Sequence, residues 1–161
     1  MQSHVELIGV EGMPEIATGD DLGRFIYEAL NAQATPLVEG DVVVVTQKII
    51  SKSEGRIIDL RSVTPSLRAR DFAEAWGKDA RVVEVALREA VRVVRMQDGV
   101  LITETQHGFV CANSGVDASN VGSGDQDHVV LLPVDSDESA LRIRRTLRER
   151  ISDGAERRRR L

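Results

Sequence analysis

Three stretches of this chain carry side chains suited to chemistry, and each directly follows an apolar run. ANSGVDASNV, residues 112–121, surrounds one carboxylate, Asp117, with small residues and follows it with Ser119 and Asn120. A carboxylate of this kind is a hard oxygen ligand for magnesium or manganese, and glycine with small neighbours lets backbone approach a ligand closely. Asp and Asn also stabilise turns by bonding their own backbone, so a ligand loop and a plain turn both fit. In TQKIISKSEGR, residues 46–56, Lys48, Lys52 and Arg56 recur at intervals of four. A lysine ammonium is a compact charge suited to phosphate oxygens. The same lysines fit a solvated edge that discourages strand pairing. EGMPEI, residues 11–16, is the third stretch. Scaffolds commonly hold ligands on loops like these, so the three together suggest one site.

Other chemistry is poorly supported. His4, His107 and His128 lack metal-ligand spacing. Cys111, the one cysteine, sits in an apolar run as a small hydrophobe and has no internal disulfide partner. Neither GxxxxGK[ST] nor GxGxxG occurs, so a nucleotide site here would be of another kind. A net charge of -5 argues against non-specific nucleic-acid binding, and the run Arg157 to Arg160 reads as a solvated end. At 42% hydrophobic and 29% charged, with no apolar run near the roughly 18 residues of a membrane span, the composition is that of a soluble protein outside membranes. The N-terminal MQSHVELIGV lacks signal-peptide regions, which makes the cytoplasm the expected compartment.

The elements that must position these loops follow from periodicity. One domain is expected from 161 residues. HVELIGV reads as a strand, and Asp20 or Asp21 as the cap of a helix with Leu22, Phe25, Ile26, Ala29 and Leu30 on one face. The valines after Asp41 read as a strand buried on both faces, ending in Thr46, Gln47, Lys48, Ser51 and Lys52. A helix runs from Pro65-Ser66 to Trp76 with a stop at Gly77, and a second starts at Asp79 with Val82, Val83, Ala86, Leu87 and Ala90 in line. VLITET and GFVCAN read as a hairpin and HVVLLPV as a buried strand, before a last helix capped by Ser136 or Asp137. The expected class is α+β, a mixed sheet with flanking helices. Residues 1–151 form the folded unit, and 152–161 a basic, disordered tail.

VEGMPEI, GDDL, GDVVVVTQKIISKSEGR, GVLITETQHGFVCANSGVDASNV and LLPVDSDESALRIRRTL, in this order and spacing to about Arg150, resemble the N-terminal part of the coenzyme F420-0:L-glutamate ligase (F420 gamma-glutamyl ligase) family. The resemblance implies that fold for residues 1–151. It also implies GTP-dependent joining of L-glutamate to the carboxylate of coenzyme F420-0 through an acyl phosphate, with Mg2+ or Mn2+ and K+ as a further candidate ion. Met13, Pro14, Glu15 and Ile16 correspond to a guanine-nucleotide loop. Gln47, Lys48, Lys52 and Asn120 correspond to further nucleotide contacts, and Asp117 to the metal-binding aspartate; no catalytic residue is assigned. Partners implied are GTP, coenzyme F420-0, L-glutamate and a second copy in a homodimer. The family continues into a second half with another metal loop, whereas this sequence stops at ISDGAERRRRL. Three readings follow: a ligase or its N-terminal portion, a non-catalytic binding half completed by a second chain, and a structural fragment that dimerises.

Overall fold

The computed structural model describes residues 4–118 and 127–159. Helix α1 (Leu22–Ala32) starts where Asp21 accepts a hydrogen bond from the Arg24 amide, and its apolar stripe buries Leu22, Ile26 and Leu30. That stripe packs on Ile143 and Leu147 of the final helix, α5 (Ser136–Arg159), with Ile16 from the preceding loop closing the cluster. The two helices approach closely at Gly23, where a Cβ would lie 2.7 Å from the Thr146 Cβ. Asp135, rather than Ser136 or Asp137, caps α5 by accepting the Glu138 amide at 2.9 Å. Helical backbone continues to Arg159, through residues 152–159 that were expected as a tail.

A second layer pairs α3 (Leu67–Trp76) with α4 (Ala80–Arg88). Ser66 caps the first, Gly77 ends it in the left-handed conformation with φ 61°, and Asp79 caps the second. Ala69, Phe72 and Ala73 meet Val83, Ala86 and Leu101 across the interface. The helical spacing expected through Ala90 stops at Arg88, because β-branched Val91, Val93 and Val94 then carry the chain into strand β2 (Ala90–Gln97). Asp98 and Gly99, with φ of 53° and 71°, form the two-residue turn into β3 (Val100–Thr105). The antiparallel β2-β3-β4 sheet ends with β4 (Val110–Ala112). A separate two-stranded sheet pairs β1 (Ile57–Asp59) antiparallel with β5 (His128–Val130) over Leu60, Val63, Val85 and Leu131.

The class is therefore α+β, as its sequence predicts. Pairing is antiparallel in both sheets. Two expected strands are not paired. Residues 4–10 are exposed and join no sheet, and neither do residues 41–45. Val43 and Val45 pack toward the α1–α5 cluster, but Val42 and Val44 face water, so burial on both faces does not hold. Gln47 to Ser53, expected as the polar end of that strand, form helix α2 (Gln47–Ser53). No helix among the described residues is long and apolar enough to cross a membrane.

Glu84 ties the α3 and α4 layer together. It is buried, accepts the Ser66 amide at 2.9 Å and the Arg88 Nε at 2.9 Å, and those bonds, led by Ser66, hold its carboxyl below its ordinary value of 4.5. A lowered folded value stabilises the native state above the unfolded pKa and loses that effect as pH falls through the folded one. Glu84→Gln is expected to cost about 1–3 kcal/mol at pH 7. Denaturant titrations at several pH values should show variant and parent converging below pH 4.5.

Candidate functional site

Helix α2 brings the three predicted stretches together. In its first turn, Gln47 donates to the Leu131 carbonyl at 2.8 Å and to the fully buried Ser51 hydroxyl at 2.7 Å, which pins the helix start against the chain leaving β5. Lys48 points the other way. Its Nζ lies 2.9 Å from an Asp117 carboxylate oxygen, and the two side chains are 31% and 28% exposed, so a ligand can reach the pair. One turn on, the largely buried Lys52 meets the exposed Glu15 carboxylate at 2.6 Å. The loop leading to α1 lies along the same helix, with the Gly19 amide donating to the Ser53 carbonyl at 2.8 Å and Thr18 Oγ1 to the Lys52 carbonyl at 3.3 Å.

The predicted residues thus separate. Glu15, Lys48, Lys52 and Asp117 form two ion pairs that α2 carries one helical turn apart. Gln47 supports the helix start. Pro14 is exposed beside Glu15, whereas Met13 packs partly and Ile16 fully into the α1–α5 cluster, so the Ile16 side chain belongs to the core. Asn120 lies outside the described residues. Arg56, though four residues beyond Lys52, turns away to bond the Leu132 carbonyl and Glu89. The Lys52 hydrogen bond and charge hold the Glu15 carboxyl below its ordinary value.

Asp117 is held from behind by groups that periodicity did not single out. Asn113, Ser114 and Gly115 are three successive left-handed residues with φ of 50°, 54° and 70°, a conformation that costs energy at the two residues with a Cβ. Buried hydrogen bonds hold it. The Ser114 amide donates to Thr103 Oγ1 at 2.9 Å, and its hydroxyl donates to the Ala86 carbonyl at 2.6 Å, with both side chains almost wholly enclosed. At Gly115 a Cβ would stand 2.9 Å from Leu132, so glycine is required for space as well as for φ. Asp117 then exchanges two 2.9 Å backbone hydrogen bonds with Val130. The signal available in sequence was Thr103 at an inward position of a strand, beside the small residues of NSG.

The arrangement suits an anion at Lys48 and a hard cation at Asp117. No group of three or more His, Cys, Asp or Glu that could hold a metal occurs among the described residues. A metal held at Asp117 would therefore have to take its other ligands from water or a bound phosphate, as Mg2+ commonly does. A cavity of about 100 Å³ lined by Arg56, Glu89, His107, Ser114 and Leu132 is well short of the roughly 300 Å³ of a ligand pocket. A larger cavity of about 420 Å³, lined by Gly19, Asp21, Ser53, Glu54 and Arg142, opens at the other end of α2.

Two outcomes are expected from this geometry. Thr103→Val removes the acceptor of the buried Ser114 amide and should lower the unfolding free energy by about 1–3 kcal/mol, read from chemical denaturation. In Lys52→Met, the Glu15 carboxyl should titrate closer to 4.5 by carbon-detected NMR, and an unchanged titration would rule out the ion pair in solution.

Comparison with known proteins extends this picture. The family described as F420-0:gamma-glutamyl ligase matches residues 12–156. A coenzyme F420:L-glutamate ligase of Methanothermobacter thermautotrophicus is 46% identical over 145 residues, covering 90% of this chain and 56% of the relative. One from Methanopyrus kandleri is 46% identical over 135 residues, 84% of this chain and 50% of its own length. A third, from Methanocaldococcus jannaschii, is 43% identical over 143 residues, 89% and 54% of the two chains. The chain spans about half the length of these curated relatives. With both ion pairs and the Asp117 turn inside the matched span, the chain belongs to the F420-0:gamma-glutamyl ligase family.

Proposed function

We propose that this chain is the nucleotide-engaging part of a GTP-dependent coenzyme F420-0:L-glutamate ligase. The observation that carries the reading is the Lys48–Asp117 pair, an ammonium and a carboxylate 2.9 Å apart on a face open to solvent. A carboxylate and an amine do not condense unaided, because the carboxylate oxygen is a poor leaving group. In the proposed reaction, an oxygen of the F420-0 carboxylate attacks the γ-phosphorus of GTP, the bond to the bridging β-γ oxygen breaks and GDP leaves. The glutamate amine then attacks the acyl carbon, the C–N bond forms, inorganic phosphate departs and the nitrogen loses a proton.

All of these reactants carry negative charge, so positioning and charge neutralisation dominate the work of the protein. Lys48 and Lys52 hold phosphate oxygens, exchanging Asp117 and Glu15 for the ligand. The loop with Met13, Pro14, Glu15 and Ile16 offers backbone groups to the base and ribose, Gln47 fixes the α2 end, and Asn120 adds a nucleotide contact. A divalent ion, Mg2+ or Mn2+, would supply Lewis-acid neutralisation of the polyphosphate at Asp117, with K+ as an additional candidate ion. The match covers 56% and 50% of two relatives, and the rest of their length is proposed to contribute to the ligase reaction; a homodimer is the proposed assembly.

The chain is therefore expected to bind GTP with Mn2+. Calorimetry of GTP with Mn2+ should show at least about tenfold weaker binding to Asp117→Ala, roughly 1.4 kcal/mol. Equal affinity in the variant would sink the site assignment. Mass analysis of a mixture with L-glutamate and coenzyme F420-0 then reports turnover, and product would show that these 161 residues suffice for the reaction.

A further inference from the structure

We propose that the cavity at the far end of α2 binds the amino-acid substrate as a zwitterion, its ammonium on the acidic wall of Asp20, Asp21 and Glu54 and a carboxylate on Arg142. The identity of that amino acid as L-glutamate rests on the ligase reading; the class of ligand rests on the cavity. The start of α1, the end of α2 and one face of α5 enclose about 420 Å³, within the roughly 300–1,000 Å³ of small-molecule sites. Leu22, Ile50 and Ile143 supply apolar lining, and such sites typically combine an apolar surface with a few polar groups that fix orientation.

The polar groups carry both signs and are only partly engaged. Asp20 accepts the Ala17 amide through Oδ2 at 2.8 Å, Asp21 accepts the Arg24 amide through Oδ1 at 3.0 Å, and Glu54 accepts the Ser139 hydroxyl and the Arg142 guanidinium through Oε1. Among the described residues, the second oxygen of each carboxylate accepts no hydrogen bond, and Arg150 stands 3.9 Å from Asp21 Oδ2. Arg142 bonds Glu54 and Ser139 through Nη2, which leaves Nε and Nη1 as donors for a carboxylate. A bare metal ion does not fit, because among the described residues no three His, Cys, Asp or Glu are grouped to hold one. Acceptors along one wall with a guanidinium beside them suit a longer ligand, one that has an ammonium with three donors and a carboxylate apart from it. The cavity also adjoins the lysines. Glu15 pairs with Lys52, and further along the same loop the Gly19 amide bonds the Ser53 carbonyl, Gly19 and Ser53 both lining the cavity. An amino acid bound here lies against the helix that carries Lys48 and Lys52.

The test is an NMR titration of the whole chain with L-glutamate, without nucleotide or metal, set against glutarate, which keeps both carboxylates and lacks the ammonium. Saturable amide shifts are expected at Gly19, Glu54 and Arg142, with glutarate binding at least tenfold more weakly. Arg142→Gln removes the guanidinium, and Asp21→Asn removes a charge while keeping a side-chain oxygen for the Arg24 amide. Each variant should bind L-glutamate at least tenfold more weakly, and Asp21→Asn should keep the parent melting temperature. The proposal is overturned if L-glutamate gives no saturable shift at these residues, if glutarate matches it, or if Asp21→Asn binds as the parent does. Shifts centred on Lys48 and Lys52 would equally overturn it, assigning the dicarboxylate to the lysine face. With GTP and Mn2+ absent, failure here leaves the Lys48–Asp117 assignment standing, and failure of the Asp117→Ala calorimetry leaves the cavity assignment standing.

Discussion

The stretch from Val129 to Leu132 is the constraint on which the site depends. Val129, Val130 and Leu131 are buried and Leu132 is partly so, and the main chain of this stretch is shared among the elements that carry the site. The Val130 position pairs with Ile57 of β1 on one edge and with Asp117 on the other. The Leu131 carbonyl accepts Gln47 at the start of α2, its amide donates to the Arg56 carbonyl, and the Leu132 carbonyl accepts the Arg56 guanidinium. Lys48 and Asp117 therefore meet because both are referenced to one buried strand, not because either segment is rigid alone. Opening that strand would expose main-chain groups with no substitute partners, at a cost of about 1–3 kcal/mol for each one left unsatisfied.

On this frame the left-handed turn at 113–115 stores strain next to the site. Sustained left-handed backbone at Asn113 and Ser114 is tolerated because the Thr103 hydroxyl and the Ala86 carbonyl satisfy Ser114 inside the core. The consequence is directional: the chain leaves β4, reverses tightly and presents Asp117 toward α2. The two ion pairs are otherwise unlike. Lys52 is the more enclosed lysine and its partner Glu15 is almost free in water, so displacing Glu15 disturbs little; Lys48 and Asp117 are equally half-open, and a ligand there must satisfy both.

Much of this was legible in the sequence where the determinants are local. The caps Asp21, Ser66 and Asp79, the stop at Gly77 and the stripe of α1 are short-range rules, and they appear as expected. Grouping Glu15, Lys48, Lys52 and Asp117 came from their places after apolar runs and from the family resemblance, and the geometry brings them together. Thr103 and Ser114 were not found, because a buried hydroxyl network depends on which strands become neighbours. Arg56 shows the converse error: its spacing from Lys52 is helical, but α2 ends at Ser53 and the next residues turn toward β1.

The valine run at 42–45 is the most informative disagreement. Its sequence carries the propensity and continuity of a strand covered on two sides, yet among the described residues it joins no sheet and its Val42 and Val44 face water. Propensity describes what a segment does once its surroundings exist; it does not supply them. Val43 and Val45 seat the segment on the α1–α5 cluster, while exposed Val42 and Val44 bury little apolar surface there. The same logic extends to the site. The half-open Lys48 and Asp117, with Lys52 largely enclosed beside them, leave water in reach, and catalysis that relies on preorganised charge requires water to be excluded.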